Sequence, residues 1–330
     1  MKGIQNSFTE PMSTKQEQSL IDRPTRDALF NDLSRASLLR QTHKAGRDIY
    51  LFRGQDCPAL LVEVGRLREW SFREAGGGTG KELDLDSNDQ GPQAYEQLIV
   101  WDPEDEEIVA GYRLKMGAEA LLSAEGTRSL STSTLFEFSE EFQRNFLPYT
   151  LELGRSFVQP DYQPGRGGKS SIFSLDNLWD GLGALFVTRP QLRYLFGKVT
   201  MFTHYDPRAR DILLSFLNCF FPDPDKLVWP KNELYPQFRG HDHASDQWGT
   251  DYKDAYQVLV RRLRSLGENV PPLINSYMNL SSSMRTFGTA INQAFGAVEE
   301  TGIMVTIADI YPEKKQRHMD TFIPPSGRTA

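Results

Sequence analysis

The chain has 330 residues, 39% of them hydrophobic, and it carries a formal net charge of -7 at pH 7. This length and composition predict a globular protein with a sizeable core, in one large α/β domain or two smaller ones. The acidic balance argues against general nucleic-acid binding, which needs a basic surface, and the two cysteines are too few for a disulfide framework and fit a reducing cytoplasm.

The first residues predict a tail and a docking helix over 1–44. Residues 1–24 are polar and lack the apolar core of a signal peptide, so we expect a flexible tail and a cytoplasmic protein. Apolar residues recur with helical spacing over 25–41 and predict a helix, which leads into a strand at 48–53.

The next hundred residues predict a long helix, a hairpin and a buried strand. Pro58 stands at a helix-start position, and the apolar residues after it follow one face of a helix that ends before the glycine run at 76–80. Two strands flank the turn-rich segment 102–105 and form a β-hairpin. The predicted elements are a helix at 58–74 and strands at 96–101, 107–115 and 150–158.

Helices and strands alternate again after the loop 159–170, which holds two prolines and three glycines. A helix after such a loop can hold a phosphate with its free backbone N–H groups. The segment 222–249 is rich in Pro, Asp and His and predicts an insertion or lid. The most apolar run, 212–221, is too short to span a bilayer of about 30 Å. The predicted elements are helices at 175–187, 207–221 and 252–266 and strands at 195–202, 272–280 and 302–309.

This alternation predicts a mixed α/β sheet flanked by helices. No Gly-x-Gly-x-x-Gly follows a first strand and no Walker-type loop is present, so nucleotide-dependent redox chemistry and phosphoryl transfer are not favoured. Residues His241 to Asp246 have the His-x4-Asp spacing of O-acyltransferases and could also bind a metal. Neither a glycine-rich substrate motif nor a further ligand at defined spacing accompanies them, so we expect no metal site.

The run Glu152-Leu153-Gly154-Arg155 places an acid and an arginine in a stretch that otherwise predicts a buried strand. Side chains three apart lie on opposite faces of a strand unless a bulge intervenes, and Gly154 could supply that bulge. A structural ion pair at the edge of a core is the alternative interpretation.

This run is one of several short motifs that follow one another along the chain. They are Arg68 with Phe72, Asp86 with Asp89, Arg113 in Gly-x-Arg, Phe138 in Phe-Ser, Glu152 with Arg155, Leu178-Trp179-Asp180-Gly181, Phe196-Gly197-Lys198, and Pro271 to Tyr277. Their order and spacing, over roughly 48–309, resemble the GNAT-superfamily N-acyltransferases that take acyl groups from acyl carrier protein. That group includes ornithine-lipid and glycine-lipid synthases, often labelled haemolysins, and the related acyl-homoserine-lactone synthases. The long forms found in glycine-lipid synthesis look closest.

The resemblance implies a GNAT-like domain at 45–325, with a short tail at 326–330. It implies an enzyme that transfers a (3-hydroxy)fatty acyl group from the phosphopantetheine thioester of acyl carrier protein to the amine of a small amino acid, with glycine favoured. The product would be an N-acyl amino acid lyso-lipid of membrane lipid biosynthesis, made without a permanently bound cofactor. An acyl-homoserine-lactone-like signal synthase and a non-catalytic lipid-binding or haemolytic protein are the alternatives.

Acyl transfer to an amine needs a group that accepts the amine proton, and the resemblance assigns carboxylates to this task. Glu152 is our first choice for the base, with Asp86 and Asp89 as supports or amine-binding groups. Arg113 and Arg155 suit the acceptor carboxylate because a guanidinium pairs with it in a bidentate way, and Arg68 is a third candidate. Phe72 and Phe138 would line the acyl channel, or else belong to the core.

The donor side should involve the strand end at Val158 and the cations Arg166, Lys169 and Lys198. In 163–168, Arg166 stands where the coenzyme A loop has its first Gly, which favours acyl carrier protein as the donor. An acidic carrier needs a basic docking patch, although ordinary surface cations would give the same pattern. The arginines of the helix at 252–266 fit either anionic lipid headgroups at the inner face of the membrane or a solvated face.

Overall fold

The structure, a computed structural model, describes residues 17–163, 173–235 and 248–323. Its strands are β1 Ser37–Gln41, β2 Asp48–Arg53, β3 Glu96–Asp102, β4 Glu107–Met116, β5 Phe136–Phe138, β6 Thr150–Val158, β7 Tyr194–Met201, β8 Val228–Pro230, β9 Arg285–Asn292 and β10 Val298–Thr306. Within these ranges, eight strands form one mixed sheet in the order β1-β2-β3-β4-β6-β7-β10-β9, and β5 pairs with β8 alone. Only β6 and β7 run parallel in the large sheet.

Helices cover both faces of the sheet. They are α1 Arg26–Leu33, α2 Pro58–Glu74, α3 Gly117–Leu122, α4 Ser174–Thr188, α5 Pro207–Phe220, α6 Tyr252–Ser265, α7 Pro272–Met278 and α8 Pro312–His318. Alternation along β3 shows how the faces divide, because successive side chains of a strand point to opposite sides. Leu98 and Val100 belong to the same apolar cluster as the buried residues of α4 and α5, whereas Ile99 and Trp101 belong to the cluster under α2. The predicted mixed α/β sheet flanked by helices is confirmed.

Helix α2 coincides with its prediction, and its N-terminus is held from α1. The carboxylate of Asp32 accepts hydrogen bonds from the backbone N–H groups of Ala59 at 2.6 Å and Leu60 at 3.1 Å. An acidic oxygen on these donors caps the helix and complements its dipole. Helix α1 therefore docks against the start of α2 through this cap, and the division of the chain at residue 44 stays a prediction.

Two predicted elements at the ends of the chain are wrong. The helix expected over 25–41 ends at Leu33, and Ser37–Gln41 forms the edge strand β1. The buried helical face formed by Leu29 and Leu33 does not continue, because the next position on that face is a serine, Ser37. The strand expected at 272–280 is helix α7. Proline opens it at the first helical position, and Ile274, Tyr277 and Met278 bury one helical face.

Two strands were missed in whole or in part near the C-terminus. Strand β9 contains Gly288 at φ 81°, which interrupts its pattern. Strand β10 begins at Val298, before the predicted start at 302. The prediction began too late because the acidic residues Glu299 and Glu300 interrupt the apolar pattern at the start of the strand. Each of these carboxylates is paired with a cation, which explains how the polar pair fits into a central strand.

The segment expected to be an insertion or lid is partly built into the fold. Strand β8 pairs with β5, and Leu227 and Val228 are buried in an apolar cluster. Trp248 is buried against Phe216. The stretch 236–247, which includes His241 to Asp246, lies outside the described residues.

The parallel pair β6 and β7 separates partway along its length. The strands pair over four positions, Thr150–Leu153 with 194–197, and then diverge, so residues 154–158 of β6 have no partner on that side among the described strands. On the face of the sheet that α2 covers, the gap between β6 and β7 lies near buried charged side chains. The buried charged side chains of this face include Arg68, Asp89, Arg113 and Glu152.

Candidate active site

A cleft opens where β6 and β7 separate. It has about 430 Å³ of empty space, its open mouth included. The lining residues come from α2, β4, β6, β7, α7 and β10 and from the loops beside them. They are Phe72, Arg113, Ser131, Gly154, Arg155, Ser156, Lys198, Thr200, Leu273, Phe295 and Glu300.

A second cavity lies among α4, α7 and α8 and has about 570 Å³ of empty space on the same measure. The acidic and histidine side chains at its wall belong to a structural network. His318 Nδ1 lies 2.7 Å from the Asp180 carboxylate, and Arg317 donates to Asp176 at 2.5 Å. None of the residues predicted for catalysis or substrate binding lines this cavity, so we place the chemistry at the splayed strands.

A β-bulge brings Glu152 and Arg155 to the same face. Gly154 pairs with Arg113 and Phe157 pairs with Gly111, so Arg155 and Ser156 together oppose a single residue of β4. Arg155 has φ 49°, a left-handed conformation that is uncommon outside glycine. The bulge that the sequence suggested near Gly154 is therefore present, one residue further along.

Asp89 lies between two of the expected arginines. Its carboxylate accepts from Arg68 Nη1 at 2.9 Å and from Arg113 Nη1 at 3.1 Å, and all three side chains are buried. Burial by itself raises the pKa of Asp89, but the two guanidiniums and the Asp86 backbone N–H outweigh it and lower the pKa far below its usual range. Of the two roles expected for Asp89, support of the arginines fits this position and contact with the amine does not.

Asp86 is the more accessible partner of Arg113. Its side chain is 34% exposed, and one oxygen accepts from Arg113 Nη1 at 2.9 Å. The Nε of Arg113 is buried and has no hydrogen-bond partner within the described ranges. A Cβ at Gly154 would lie 3.4 Å from that Nε, so the glycine keeps the space beside it open. The cleft wall thus offers a donor without a partner next to an accessible carboxylate.

Aromatic rings and a carboxylate hold Arg155. Its Nε lies 2.7 Å from Asp84, and its guanidinium carbon lies 4.2 Å from the centre of the Phe295 ring. Phe72 packs edge-on against the same ring at 5.0 Å. Phe72 therefore lines the cleft and also positions the ring that carries Arg155, as a cation over an aromatic face.

Glu152 is buried and does not line the cleft. Its carboxylate accepts from the Thr132 backbone N–H at 2.8 Å, from Ser131 Oγ at 3.2 Å and from the Tyr95 hydroxyl. Burial, followed by the Glu152 charge, raises the pKa of Tyr95 well above its usual value, so the phenol remains a donor. Ser131, which donates to Glu152, does line the cleft, so its hydroxyl lies between the buried carboxylate and the cleft. The role of Glu152 as the base stays a prediction.

Sequence reasoning missed Tyr95 and Ser131. Tyr95 directly precedes β3, and Ser131 stands in the Ser-Thr-Ser-Thr run 131–134, where it donates its backbone N–H to the tyrosine oxygen at 2.7 Å. A run of small hydroxyl residues before a buried acid is too common to identify such a contact without the fold.

The remaining predicted residues have mixed positions. Lys198 lies inside the cleft rather than on a docking surface, with its side chain 10% exposed. Phe138 packs on Phe142 and Phe196 and is not a cleft residue. Val158 pairs with Ala110 in the sheet, and its carbonyl accepts from the Gln163 amide. Arg166 and Lys169 lie outside the described residues.

Neither metal-binding clusters nor membrane-spanning helices are found in the described parts of the chain. No group of three or more His, Cys, Asp and Glu there is placed to hold a metal ion. No helix in 17–163, 173–235 or 248–323 has the length and apolar character needed to cross a membrane.

Comparisons with known proteins show what this chain is similar to. Residues 67–170 match the acetyltransferase (GNAT) domain model. Glycine N(alpha)-acyltransferases of Phocaeicola vulgatus and Bacteroides thetaiotaomicron are 45% identical over 306 residues, which are 93% of this chain and 94% and 91% of theirs. An L-ornithine N(alpha)-acyltransferase of Brucella abortus is 27% identical over 62% of this chain and 64% of its own. The crystal structure of the AHL synthase LasI aligns with a TM-score of 0.31 at 16% identity, over 46% of this chain and 71% of that one.

Proposed function

Because this chain belongs to the family of the glycine N(alpha)-acyltransferases and is a GNAT-domain N-acyltransferase, we propose that it acylates the amine of glycine. The donor in this proposal is a long-chain 3-hydroxyacyl thioester on the phosphopantetheine arm of acyl carrier protein. The product is an N-acylglycine lyso-lipid for membrane lipid synthesis, made in the cytoplasm or at the inner face of the membrane. Family membership sets aside the non-catalytic and haemolytic alternatives.

The observation that carries the acceptor assignment is the Nε of Arg113 in the cleft wall, which has no hydrogen-bond partner among the residues that the structure describes. A small amino acid brings a carboxylate, and a charge-assisted hydrogen bond from a guanidinium is a strong way to hold it. The space beside that Nε, kept by Gly154, suits an acceptor without a side chain. Arg155 lines the same wall and adds a second positive charge.

The amine of the acceptor needs an acid near it and a route for its protons. Asp86 supplies an accessible carboxylate beside Arg113. Ser131 Oγ, which faces the cleft and donates to Glu152, can accept an amine proton while it passes its own to the buried carboxylate. In this scheme Glu152 is the final acceptor of the amine proton, and the Tyr95 hydroxyl and the Thr132 N–H hold its carboxylate in place.

The donor arm is proposed to pair with the free edge of β6. Residues 154–158 leave this edge without a strand partner in the described sheet, and an extended amide chain such as pantetheine can add to it as a strand would. The carrier protein as donor rests on the loop 163–168, where an arginine replaces the first glycine of the coenzyme A loop.

The proposal is tested by incubating the purified protein with 3-hydroxyacyl carrier protein and glycine and measuring the amide product by mass spectrometry. We expect N-acylglycine, with ornithine and serine acylated more slowly and acyl-coenzyme A used poorly as donor. Absence of any amide with all three amino acids would refute the assignment. Faster turnover with acyl-coenzyme A would refute the carrier protein as donor.

A further inference from the structure

The cleft has a second charged wall, opposite the arginines, that the proposed acceptor site does not use. Lys198 Nζ donates to Glu300 Oε2 at 2.5 Å. The same carboxylate accepts from Asn292 Nδ2 at 2.8 Å and from Thr200 Oγ1 at 3.4 Å. Lys198, Thr200 and Glu300 all line the cleft, and Glu300 is only 3% exposed.

Lys198 stands at the point where the strands part. It directly follows Gly197, which is the last residue of β7 paired with β6. Alternation along β7 turns its side chain away from Val199, which packs on the opposite face of the sheet. A donor arm that pairs with the free edge of β6 must therefore bring its thioester past this ammonium group.

The cations of the cleft differ in what they can do chemically. Arg113 and Arg155 are each held by carboxylates, and a guanidinium does not release a proton in proteins. An ammonium group can do so, and no tyrosine or histidine is among the described residues that line the cleft. Among the cations there, Lys198 alone is able to act as a proton donor.

We propose that Lys198 is the catalytic acid that protonates the departing phosphopantetheine thiolate, and that Glu300 is the positioning residue that holds its ammonium group toward the gap between β6 and β7. This inference rests on the proposed thioester donor. It assigns the two walls of the cleft separate tasks, acceptor binding on the arginine side and leaving-group departure on the lysine side.

The step balances in atoms and charge. The amine attacks the thioester carbonyl and forms the C–N bond, the C–S bond breaks, and its electron pair goes to sulfur. Lys198 gives one N–H proton to that sulfur, which leaves as the free thiol. The acceptor nitrogen, which enters as an ammonium group, loses two protons. One of them goes to solvent before the attack, and the other passes through Ser131 to Glu152. After the product leaves, exchange with solvent removes the proton from Glu152 and restores the ammonium group of Lys198.

A leaving-group comparison tests the acid directly. Lys198→Met should lower kcat/KM by about 10²- to 10⁴-fold with acyl carrier protein and with the acyl thioester of N-acetylcysteamine, whose alkyl thiolate needs a proton to leave. With the acyl thioester of thiophenol, a far more acidic thiol, the loss should be less than about tenfold after the uncatalysed rate is subtracted. The double variant Lys198→Met with Glu300→Gln repeats the comparison without a buried unpaired charge.

Glu300→Gln tests the positioning role through the same leaving-group comparison. The charged side chains that line the cleft with Lys198 are Arg113, Arg155 and Glu300, and the carboxylate of Glu300 contacts the lysine. Without that carboxylate the ammonium group is not held toward the gap, so kcat should fall with the alkyl thioester and change little with the aryl thioester. Glu299→Gln is the matched control, because this neighbour pairs with Arg210, which does not line the cleft, and it should keep kcat near that of the wild type with both thioesters.

The outcomes separate the two proposals. Wild-type protein that forms no N-acylglycine from any donor would overturn the proposed function and this inference with it. Active wild-type protein whose Lys198→Met variant loses the same factor with alkyl and aryl thioesters would overturn the acid role alone. Equal losses of kcat with alkyl and aryl thioesters in Glu300→Gln, or the same alkyl-specific loss in Glu299→Gln, would overturn the positioning role.

Discussion

Replacement of Glu152 by glutamine should lower kcat by about 10²- to 10⁴-fold, the usual contribution of a positioned proton acceptor, and leave the KM for glycine nearly unchanged. Glutamine keeps an oxygen for the Thr132 N–H and Ser131 donors, so the fold should persist. Steady-state kinetics with glycine as the varied substrate measure both constants. A variant with wild-type kcat would remove Glu152 from the chemistry.

The proposed proton path through Ser131 can be tested by a second substitution. Ser131→Ala should lower kcat to a similar extent, and the double variant should lose little more than either single one, because groups that act as a unit are not additive. Glu69→Gln is the control, since Glu69 is a buried and hydrogen-bonded glutamate of α2 that does not line the cleft. It should keep kcat near that of the wild type. If the fold-loss of kcat in the double variant equals the product of the two single losses, Ser131 and Glu152 act independently.

Asp89→Asn should destabilise the protein by about 3–5 kcal/mol, because it leaves Arg68 and Arg113 buried without the charge between them. Asp86→Asn is the matched control. It touches the same Arg113, but its side chain is 34% exposed, and we expect at most about 1 kcal/mol. Urea denaturation of the three proteins measures the difference, and equal effects of the two substitutions would contradict the central role of Asp89.

The stability difference should also depend on pH. The folded-state pKa of Asp89 is lowered, so its stabilising contribution is complete above the unfolded-state pKa of about 3.9 and is lost as the pH falls below that value. Wild type and Asp89→Asn should therefore converge in stability in acid and differ most near neutral pH. A constant difference from pH 7 down to pH 3 would mean that the aspartate charge is not what stabilises the fold.

Motifs in the sequence predicted much of the arginine side of the site. Arg68, Arg113 and Arg155 meet carboxylates of the 84–89 segment, and the bulge that the Gly154 position suggested aligns Glu152 with Arg155. These contacts could be predicted because each motif places a charged residue in a strand or helix whose apolar periodicity is clear. The sequence could not show that Asp89 is enclosed, because enclosure depends on how Gln97 and two distant arginines pack around it.

The contact between Lys198 and Glu300 on the other wall of the cleft was not predicted, for a physical reason. Glu300 stands in a polar interruption of β10, which the sequence pattern placed outside the strand, and its partner Lys198 was assigned to a surface patch. The pairing of β7 with β10 joins residues about one hundred positions apart, and only the sheet order reveals it. Helix α7, predicted as a strand, likewise supplies Leu273 to the cleft through packing that periodicity alone did not resolve.

We propose that the cleft holds a small amino acid by its carboxylate, and glycinamide tests this most directly because it carries a neutral carboxamide in place of that group. The measurement is the ratio of kcat/KM for glycine to that for glycinamide, each corrected for its fraction of neutral amine. Loss of charge-assisted hydrogen bonds to Arg113 predicts a preference for glycine of about 100-fold, equal to about 2.7 kcal/mol. Equal acylation of the two acceptors would contradict recognition of the acceptor by its carboxylate.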